Sequence, residues 1–317
     1  MDKMKNVLIA DDIESIRFAL KEYLKSSFQI FEAESGLEAV EILKNHTIHF
    51  IVSDIRMPGM GGLDLIRHVR ENYPEIQYAL MTAYNVNDYI EYARKDNIWN
   101  IIPKSSSLDL AFIKIMIEKN LSKDIFGVEK YFPGIKIQNL DYKKVMAPDF
   151  DIEKNLCSRL EVSDPEGCDK ACEAIADALV RNGCPSVIRQ VIDELVSNAL
   201  GHAGSTGKTN NFRIEVNFGK INSKFIFSIT DFHGLLDREE ILYRVERHIK
   251  LDSTGLPLGI GDAHGRGLFI SRENLDHLIF NIEKNRKTEV IGIISEDIIS
   301  KNKSLSIYQI DSSADKN

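Results

Sequence analysis

The chain has 317 residues and a formal net charge of −8, and 43% of its residues are hydrophobic. This length predicts about two domains, and the acidic balance argues against a surface of clustered Lys and Arg that grips a nucleic-acid backbone. No apolar run approaches the ~18 residues of a membrane span, and the apolar run near the N-terminus is too short for a signal peptide. We therefore expect a cytoplasmic protein with neither a nucleic-acid nor a membrane partner.

Strand-like and helix-like segments alternate in the first part of the chain. Each strand-like segment is a short apolar or β-branched run, and an amphipathic stretch follows it. Five such units predict an α/β domain with a doubly wound, five-stranded parallel sheet, because right-handed crossovers place helices on both faces. In such a sheet a site forms at the carboxyl ends of the strands. The predicted strands are "KNVLIA", "FQIFEA", "HFIVS", "IQYALM" and "WNIIP".

Polar side chains follow four of these strands. Asp11 and Asp12 come after the first strand, Asp54 after the third, Thr82 after the fourth and Lys104 after the fifth. Taken alone, Asp54 is as well explained as the cap of the next helix. Three crowded carboxylates, however, become compatible once a divalent cation such as Mg²⁺ compensates them. The set therefore predicts that Asp54 attacks a phosphoryl group as a nucleophile while Thr82 and Lys104 stabilise the phosphoryl oxygens.

These residues resemble the motifs of the response-regulator receiver domain over about 120 residues. The resemblance implies that Asp54 is the phosphoacceptor, that Asp11, Asp12 and Asp54 hold Mg²⁺, and that a cognate sensor histidine kinase is the phosphodonor. The chain departs from the family pattern at two positions: Ser105 follows Lys104 where a proline is usual, and Ile101 occupies the position of an aromatic switch residue. The matching motifs are Asp11-Asp12, Asp54-x-x-Met57-Pro58-Gly59, Thr82-Ala83 and Lys104.

The second part of the chain carries a different set of polar residues. Glu194 and Asn198 are four residues apart on a predicted helix and so project from one face; a solvated polar stripe would explain that spacing equally well. Downstream, "KFIFSITDFHG" is an alternating strand that ends at Asp231. In "HGRGLFISRENLDHLIF" a glycine loop opens a helix whose free backbone N–H groups can receive phosphates. The combination predicts a nucleotide site.

These segments resemble the GHKL ATPase superfamily, and within it the anti-sigma-factor serine kinases. The matching boxes are "ELVSNALGHA" and "GRGLFIS". The resemblance implies an α+β sandwich that binds ATP, with a mobile lid over about residues 252–264. The family usually has a glycine two residues after the aspartate, where this chain has His233 followed by Gly234. The implied roles are Mg²⁺ binding by Asn198, general base or water positioning by Glu194, adenine binding by Asp231 with support from Thr288 and Gly234, and phosphate binding by Gly265, Arg266 and Gly267.

The two resemblances together predict the organisation and function of the chain. We expect a receiver at 1–121, a linker at 122–149, an ATPase-like domain at 150–311 and a tail at 312–317. The leading hypothesis is a response regulator whose output phosphorylates a partner on Ser or Thr, or sequesters it; that partner could be an anti-sigma antagonist, and the protein could form a homodimer. The alternatives are a non-catalytic nucleotide-binding switch and a kinase acting in trans on a histidine domain.

Overall fold

The computed structural model describes residues 4–104, 108–153, 158–163, 165–205, 213–259, 266–296 and 303–311. The chain divides into two compact units, Met1–Asp124 and Ile125–Asn317. Among the helices that the structure describes, none is long and apolar enough to cross a bilayer.

The first unit contains the predicted parallel sheet, with strand order β2-β1-β3-β4-β5. Every adjacent pair is parallel, and a short 3-10 helix, Val86–Tyr89, precedes α4. The strands are β1 Asn6–Ala10, β2 Gln29–Ala33, β3 Phe50–Asp54, β4 Gln77–Thr82 and β5 Asn100–Pro103. The helices are α1 Glu14–Leu24, α2 Gly36–Asn45, α3 Gly62–Asn72, α4 Ile90–Asp96 and α5 Leu110–Ser122.

Burial of the central strands explains why this sheet forms. All five residues of β3 are buried, as are the last four of β1; continuous burial is expected where helices cover both faces of a parallel sheet. Helix boundaries follow local polar signals. Ser35 caps α2 by accepting a hydrogen bond from the Glu38 N–H, and Asp109 caps α5 in the same way through the Phe112 N–H. The order reverses between β1 and β3, so their carboxyl ends define a crevice.

The second unit is an α+β assembly around a mixed sheet of order β12-β10-β11-β9-β8-β7-β6. The central pairs are antiparallel, and the pairs β10–β12 and β6–β7 are parallel. The strands are β6 Gln138–Asn139, β7 Ser158–Val162, β8 Ile214–Ile221, β9 Lys224–Asp231, β10 His277–Glu283, β11 Lys287–Ser295 and β12 Ser304–Ile310. The helices are α6 Tyr142–Met146, α7 Pro165–Arg181, α8 Ile188–Ser205, α9 Arg238–Ile249 and α10 Arg266–Asn274. Helix α8 packs against α7, α10 and β9.

The segment that we expected to be a linker, 122–149, belongs to the second unit from Ile125 onward. Ile125, Val128 and Phe132 are buried, and a 3-10 helix spans Val128–Tyr131. The Gly127 N–H donates to the Glu289 carboxylate of β11 at 2.9 Å. Apolar residues that a free tether would expose are thus part of a packed layer, and this places the boundary at Asp124.

Candidate functional site

Three carboxylates meet at the carboxyl ends of β1 and β3. One ligand oxygen each from Asp11, Asp12 and Asp54 lies within 4.8 Å of the other two. Asp11 is fully buried and Asp54 nearly so, whereas Asp12 is exposed. Hard oxygen ligands with one side open to water suit Mg²⁺, which usually keeps several waters. The residues predicted to bind a metal in the first unit are therefore brought together.

Lys104 is inserted between the two buried carboxylates. Its Nζ lies 2.7 Å from Asp11 Oδ2 and 2.7 Å from Asp54 Oδ2, and the side chain is only 5% exposed. A backbone hydrogen bond of 2.6 Å from the Lys104 N–H to the Thr82 carbonyl holds this residue at the end of β5. One ammonium thus offsets two buried carboxylates, so the site keeps a net negative charge that favours a cation.

Thr82 completes the set at the end of β4. Its side chain is buried, and Oγ1 accepts the Tyr84 N–H at 3.0 Å. The hydroxyl hydrogen is therefore not used in that bond and can be donated to an incoming oxygen. Asp11, Asp12, Asp54, Thr82 and Lys104 all lie at the same edge of the sheet, as the sequence predicted.

Burial raises the pKa of the Asp54 carboxyl above its usual range, against the opposing effect of the Lys104 ammonium. In the unfolded chain an Asp titrates at about pH 4, so between that pH and the higher pKa of the folded state the folded state binds more protons. Stability therefore falls as pH rises through this window, and the loss persists above it.

We expect Asp54→Asn to remove this loss. In urea unfolding without Mg²⁺, the variant should gain stability relative to wild type as pH rises from about 4 to 7. Asp64→Asn, at an exposed position on α3, is the matched control and should track wild type. A stability difference between Asp54→Asn and wild type that does not change with pH would contradict the prediction.

Two side chains next to this site were missed by the sequence reasoning. The Cζ atom of Arg56 lies 4.0 Å from the centroid of the Tyr84 ring, and Arg56 Nε donates to the Tyr89 hydroxyl at 3.2 Å. Each follows a site residue by two positions, Arg56 after Asp54 and Tyr84 after Thr82. This spacing from the site residues is the feature of the sequence that could have identified both side chains.

Comparison with known proteins identifies the first unit. Residues 7–115 match the response regulator receiver domain. Sporulation initiation phosphotransferase F of Bacillus subtilis (strain 168) is 30% identical over 92 residues, which are 29% of this chain and 74% of that protein. The chain belongs to the response regulator receiver family through residues 7–115. Its receiver domain carries the acidic pocket in which receivers bind Mg²⁺.

Other receiver-containing proteins match over the same part of the chain. The DNA-binding transcriptional regulator NtrC of Escherichia coli (strain K12) is 32% identical over 117 residues, 37% of this chain and 24% of that protein. The chain thus spans about a quarter of the length of this relative. A solved structure of response regulator protein TrrA from Thermotoga maritima, in complex with Mg²⁺-BeF, is 29% identical, covers 37% of this chain and 100% of that chain, and has a TM-score of 0.33. The receiver-domain match ends at residue 115, before the second unit begins.

In the second unit, Asp231 and Thr288 are register partners on neighbouring strands β9 and β11. Both are buried. Asp231 Oδ1 accepts the backbone N–H groups of His233 at 2.9 Å and Gly234 at 3.1 Å. Thr288 Oγ1 has no hydrogen-bond partner in the described part of the chain. A buried hydroxyl without a partner is costly, and the Thr288 hydroxyl is available for a further hydrogen bond.

The turn that follows β9 has its glycine at position 234. Gly234 has a φ of +61°, and a Cβ there would lie 2.2 Å from the Glu283 carbonyl oxygen. Only glycine fits both the left-handed conformation and the close approach. The turn therefore requires its glycine at 234, which leaves His233 free to carry a side chain.

Glu194 and Asn198 lie one turn apart on α8, where α8 meets α10. A Cβ on Gly267 would lie 2.3 Å from Glu194 Oε2, so this glycine permits the close approach of the two helices. The amide Nδ2 of Asn198 is buried without a partner among the described residues. Glu194 is thus brought against the glycine motif, and α8 also contacts the strand that ends at Asp231.

The remaining predicted residues are only partly covered. Arg266 is exposed at the start of α10, and Gly265 lies outside the described residues. Of the predicted lid at about 252–264, the described part ends at Gly259. It forms a turn in which the Asp252 N–H donates to the Leu256 carbonyl at 2.7 Å, and the Gly259 N–H donates to the Arg247 carbonyl at 2.8 Å. This part of the predicted lid is therefore an ordered turn anchored to α9.

Proposed function

We propose that this protein is a two-component response regulator that is phosphorylated on Asp54 and thereby controls an ATP-binding, kinase-like output unit. The output phosphorylates a partner protein on Ser or Thr, or sequesters it. The phosphorylation of Asp54 is supported above all by the position of Lys104 in the receiver domain, where its Nζ lies 2.7 Å from a carboxylate oxygen of Asp11 and 2.7 Å from one of Asp54. A cognate sensor histidine kinase supplies the phosphoryl group.

Phosphoryl transfer follows from the chemistry of the site. An Asp54 carboxylate oxygen forms a bond to phosphorus while the bond from phosphorus to the donor breaks, and the donor keeps that electron pair. The Thr82 hydroxyl donates to one phosphoryl oxygen. The Lys104 ammonium leaves one of its two carboxylates and contacts a second phosphoryl oxygen. Mg²⁺, held by Asp11, Asp12 and Asp54, supplies charge compensation when bound.

The output site is supported by the grouping in the second unit. Asp231 with Thr288 would bind the adenine amino group beside the Gly234 turn, and Asn198 would hold Mg²⁺. Glu194 would act as general base or position a water, and Gly265, Arg266 and Gly267 would receive the phosphates. Thr288 Oγ1 and Asn198 Nδ2 have no partner among the described residues. The Thr288 hydroxyl oxygen would accept from the amino group of the base, and Asn198 Nδ2 would donate to a phosphate oxygen while its Oδ1 holds the ion.

One observation favours a second candidate, a non-catalytic nucleotide-binding switch. His233 takes the place of the family's glycine, and its Nε2 is buried without a partner in the described residues. A bulky ring beside Asp231 would alter how a base is held, so nucleotide could bind without turnover. In either case the downstream partner could be an anti-sigma antagonist.

The experiment is a calorimetric titration of the full chain with Mg²⁺-ATP. We expect Asn198→Ala to weaken binding by about tenfold or more, which corresponds to about 1.4 kcal/mol. Ser197→Ala, at the neighbouring exposed position on α8, should bind like wild type. Equal affinity of Asn198→Ala and wild type, or no binding by wild type, would refute the ATP site.

Product analysis with candidate partners then separates the alternatives. Acid-stable phosphoserine or phosphothreonine on the partner supports the kinase, and binding without label supports the switch. Acid-labile phosphohistidine would instead favour a kinase that acts in trans on a histidine domain. Repeating the titration with a phosphoryl-mimicking ligand at Asp54 tests whether phosphorylation controls ATP binding. Coupling between two sites typically changes the affinity for a ligand by about 5- to 150-fold.

A further inference from the structure

Helix α10 buries an arginine side chain in the second unit. Arg272 lies in the last turn of the helix and is 1% exposed. Its Nε and both terminal nitrogens have no hydrogen-bond partner among the residues that the structure describes. An arginine has five N–H donors and is not deprotonated in proteins. The side chain therefore brings a full positive charge and a set of available donors into the interior of the unit.

The described carboxylates on the helices that pack against α10 are engaged elsewhere. Glu246 of α9 pairs with Lys250 at 2.7 Å, and Glu194 of α8 lies against the glycine motif. Burial lowers the pKa of the Arg272 guanidinium to about 10, against the opposing effect of Glu273, its exposed neighbour in the chain. Arg272 therefore stays protonated at neutral pH. A buried charge without a partner is strongly destabilising, and in a native structure it points to an ion that binds there.

A second donor lies next to the guanidinium in the chain. Ser271 is fully buried on the same buried face of α10 as Arg272, and its Oγ has no partner in the described part of the chain. The planar guanidinium donates two parallel hydrogen bonds to the oxygens of a carboxylate or a phosphate, and the serine hydroxyl can donate one more. A carboxylate has only two oxygens, whereas a phosphate offers a third to the hydroxyl. The three donors therefore favour a phosphate.

We propose that Arg272 and Ser271 form a phosphate-binding site where α10 packs against α8, α9 and β10. The ligand is a tetrahedral phosphate group, either inorganic phosphate or a phosphate of a bound nucleotide. Its negative charge compensates the buried guanidinium, and its oxygens accept the hydrogen bonds that the two side chains offer. Both residues lie beyond the glycine motif at 265–267, to which the nucleotide phosphates were assigned. Because α10 begins within that motif, an anion held by Arg272 also stabilises the helix that carries it.

The test titrates the full chain with sodium phosphate in a calorimeter, at constant ionic strength and with chloride as the reference anion. Wild type is expected to bind phosphate. Arg272→Met should bind it at least about tenfold more weakly, because charge-assisted hydrogen bonds are lost, and Ser271→Ala about fivefold more weakly. The matched control is Arg244→Met on α9, whose guanidinium pairs with Glu240 at 2.7 Å; it should bind phosphate as wild type does.

Hydrogen exchange of the α10 amides separates an anion site from a structural arginine. In phosphate-free buffer, Arg272→Met should slow this exchange by about tenfold relative to wild type, because it removes a buried charge without a partner. Phosphate should slow the exchange in wild type and leave Arg272→Met unchanged. The inference is overturned by faster exchange in phosphate-free Arg272→Met, by equal phosphate affinity of Arg272→Met and wild type, or by a wild-type protein that binds no phosphate.

Repeating the phosphate titration with saturating Mg²⁺-ATP identifies the source of the phosphate group. An unchanged affinity assigns the site to inorganic phosphate, and competition assigns it to a phosphate of the nucleotide; either result supports the site. Failure of this inference leaves the proposed ATP site intact, since that site is tested separately by Asn198→Ala.

Discussion

A small phosphodonor in the presence of Mg²⁺ is expected to label wild type and to leave Asp54→Asn unlabelled. Asn has nearly the same shape and can still accept from Lys104, so the fold of the site is retained while the nucleophilic carboxylate is lost. Intact-mass measurement would show the addition of one phosphoryl group to wild type and none to the variant. Asp64→Asn on α3 should be labelled as wild type is. Labelling of Asp54→Asn to the wild-type level would show that the phosphoacceptor is another residue.

Lys104→Met tests the role of the ammonium in the same site. The variant leaves two buried carboxylates without their ammonium, which is expected to cost about 3 kcal/mol of stability in the absence of Mg²⁺. Mg²⁺ should then raise the stability of the variant more than that of wild type, because the ion replaces the missing charge. Label uptake should be impaired. Equal Mg²⁺ stabilisation of the two proteins would contradict this role of Lys104.

Gly234→Ala is also expected to lower the stability of the protein by a large amount. The new Cβ would lie 2.2 Å from a backbone oxygen, and the residue would have to keep a φ of +61°. The obstacle is backbone at the β10–β11 turn and cannot rotate away as a flexible side chain would. We expect a loss of about 3 kcal/mol or more in the free energy of unfolding, measured by urea denaturation, together with loss of the proposed ATP binding.

Gly134→Ala is the matched control for this variant. Gly134 has a φ of +79°, but a Cβ there meets nothing within 4 Å. It should therefore show only the backbone cost of a left-handed alanine, about 1 kcal/mol. Equal losses in the two variants would mean that the contact with Glu283 is relieved by local movement, so that the turn does not require glycine for its packing.

The receiver site was largely predictable because its residues occupy one kind of position. Five strand-like runs with helices between them predict a parallel sheet, and the carboxyl ends of such strands lie at one edge. Asp11, Asp54 and Lys104 could therefore be grouped before any coordinates were known. The sharing of one ammonium by two carboxylates could not be predicted, because it depends on the side-chain path of Lys104 and on the depth at which each carboxylate is buried.

The contact between Arg56 and Tyr84 and the packing of the second unit could not be predicted from sequence patterns. The contact of Arg56 with Tyr84 depends on the paths of two irregular loops, which hydrophobic periodicity does not encode. The sequence placed the end of the receiver at residue 121, and the first compact unit ends at Asp124. Which residues of the following segment are buried, such as Ile125 and Phe132, depends on tertiary contacts that local sequence does not specify. The close approach of Gly267 to Glu194 likewise needs the crossing of two helices that are far apart along the chain.

The hydrogen bond between Gly127 and Glu289 bears on how the protein can be divided for separate study. A fragment that begins at residue 150 would lose the Gly127 N–H, which leaves the buried Glu289 carboxylate with the Asn281 amide at 2.8 Å as its remaining donor among the described residues of β10 and β11. It would also remove the 3-10 helix Val128–Tyr131 from its contact with β9. A fragment that begins at Ile125 keeps both features. Expression of the output half alone should therefore yield a folded, non-aggregating protein only when residues 125–149 are included.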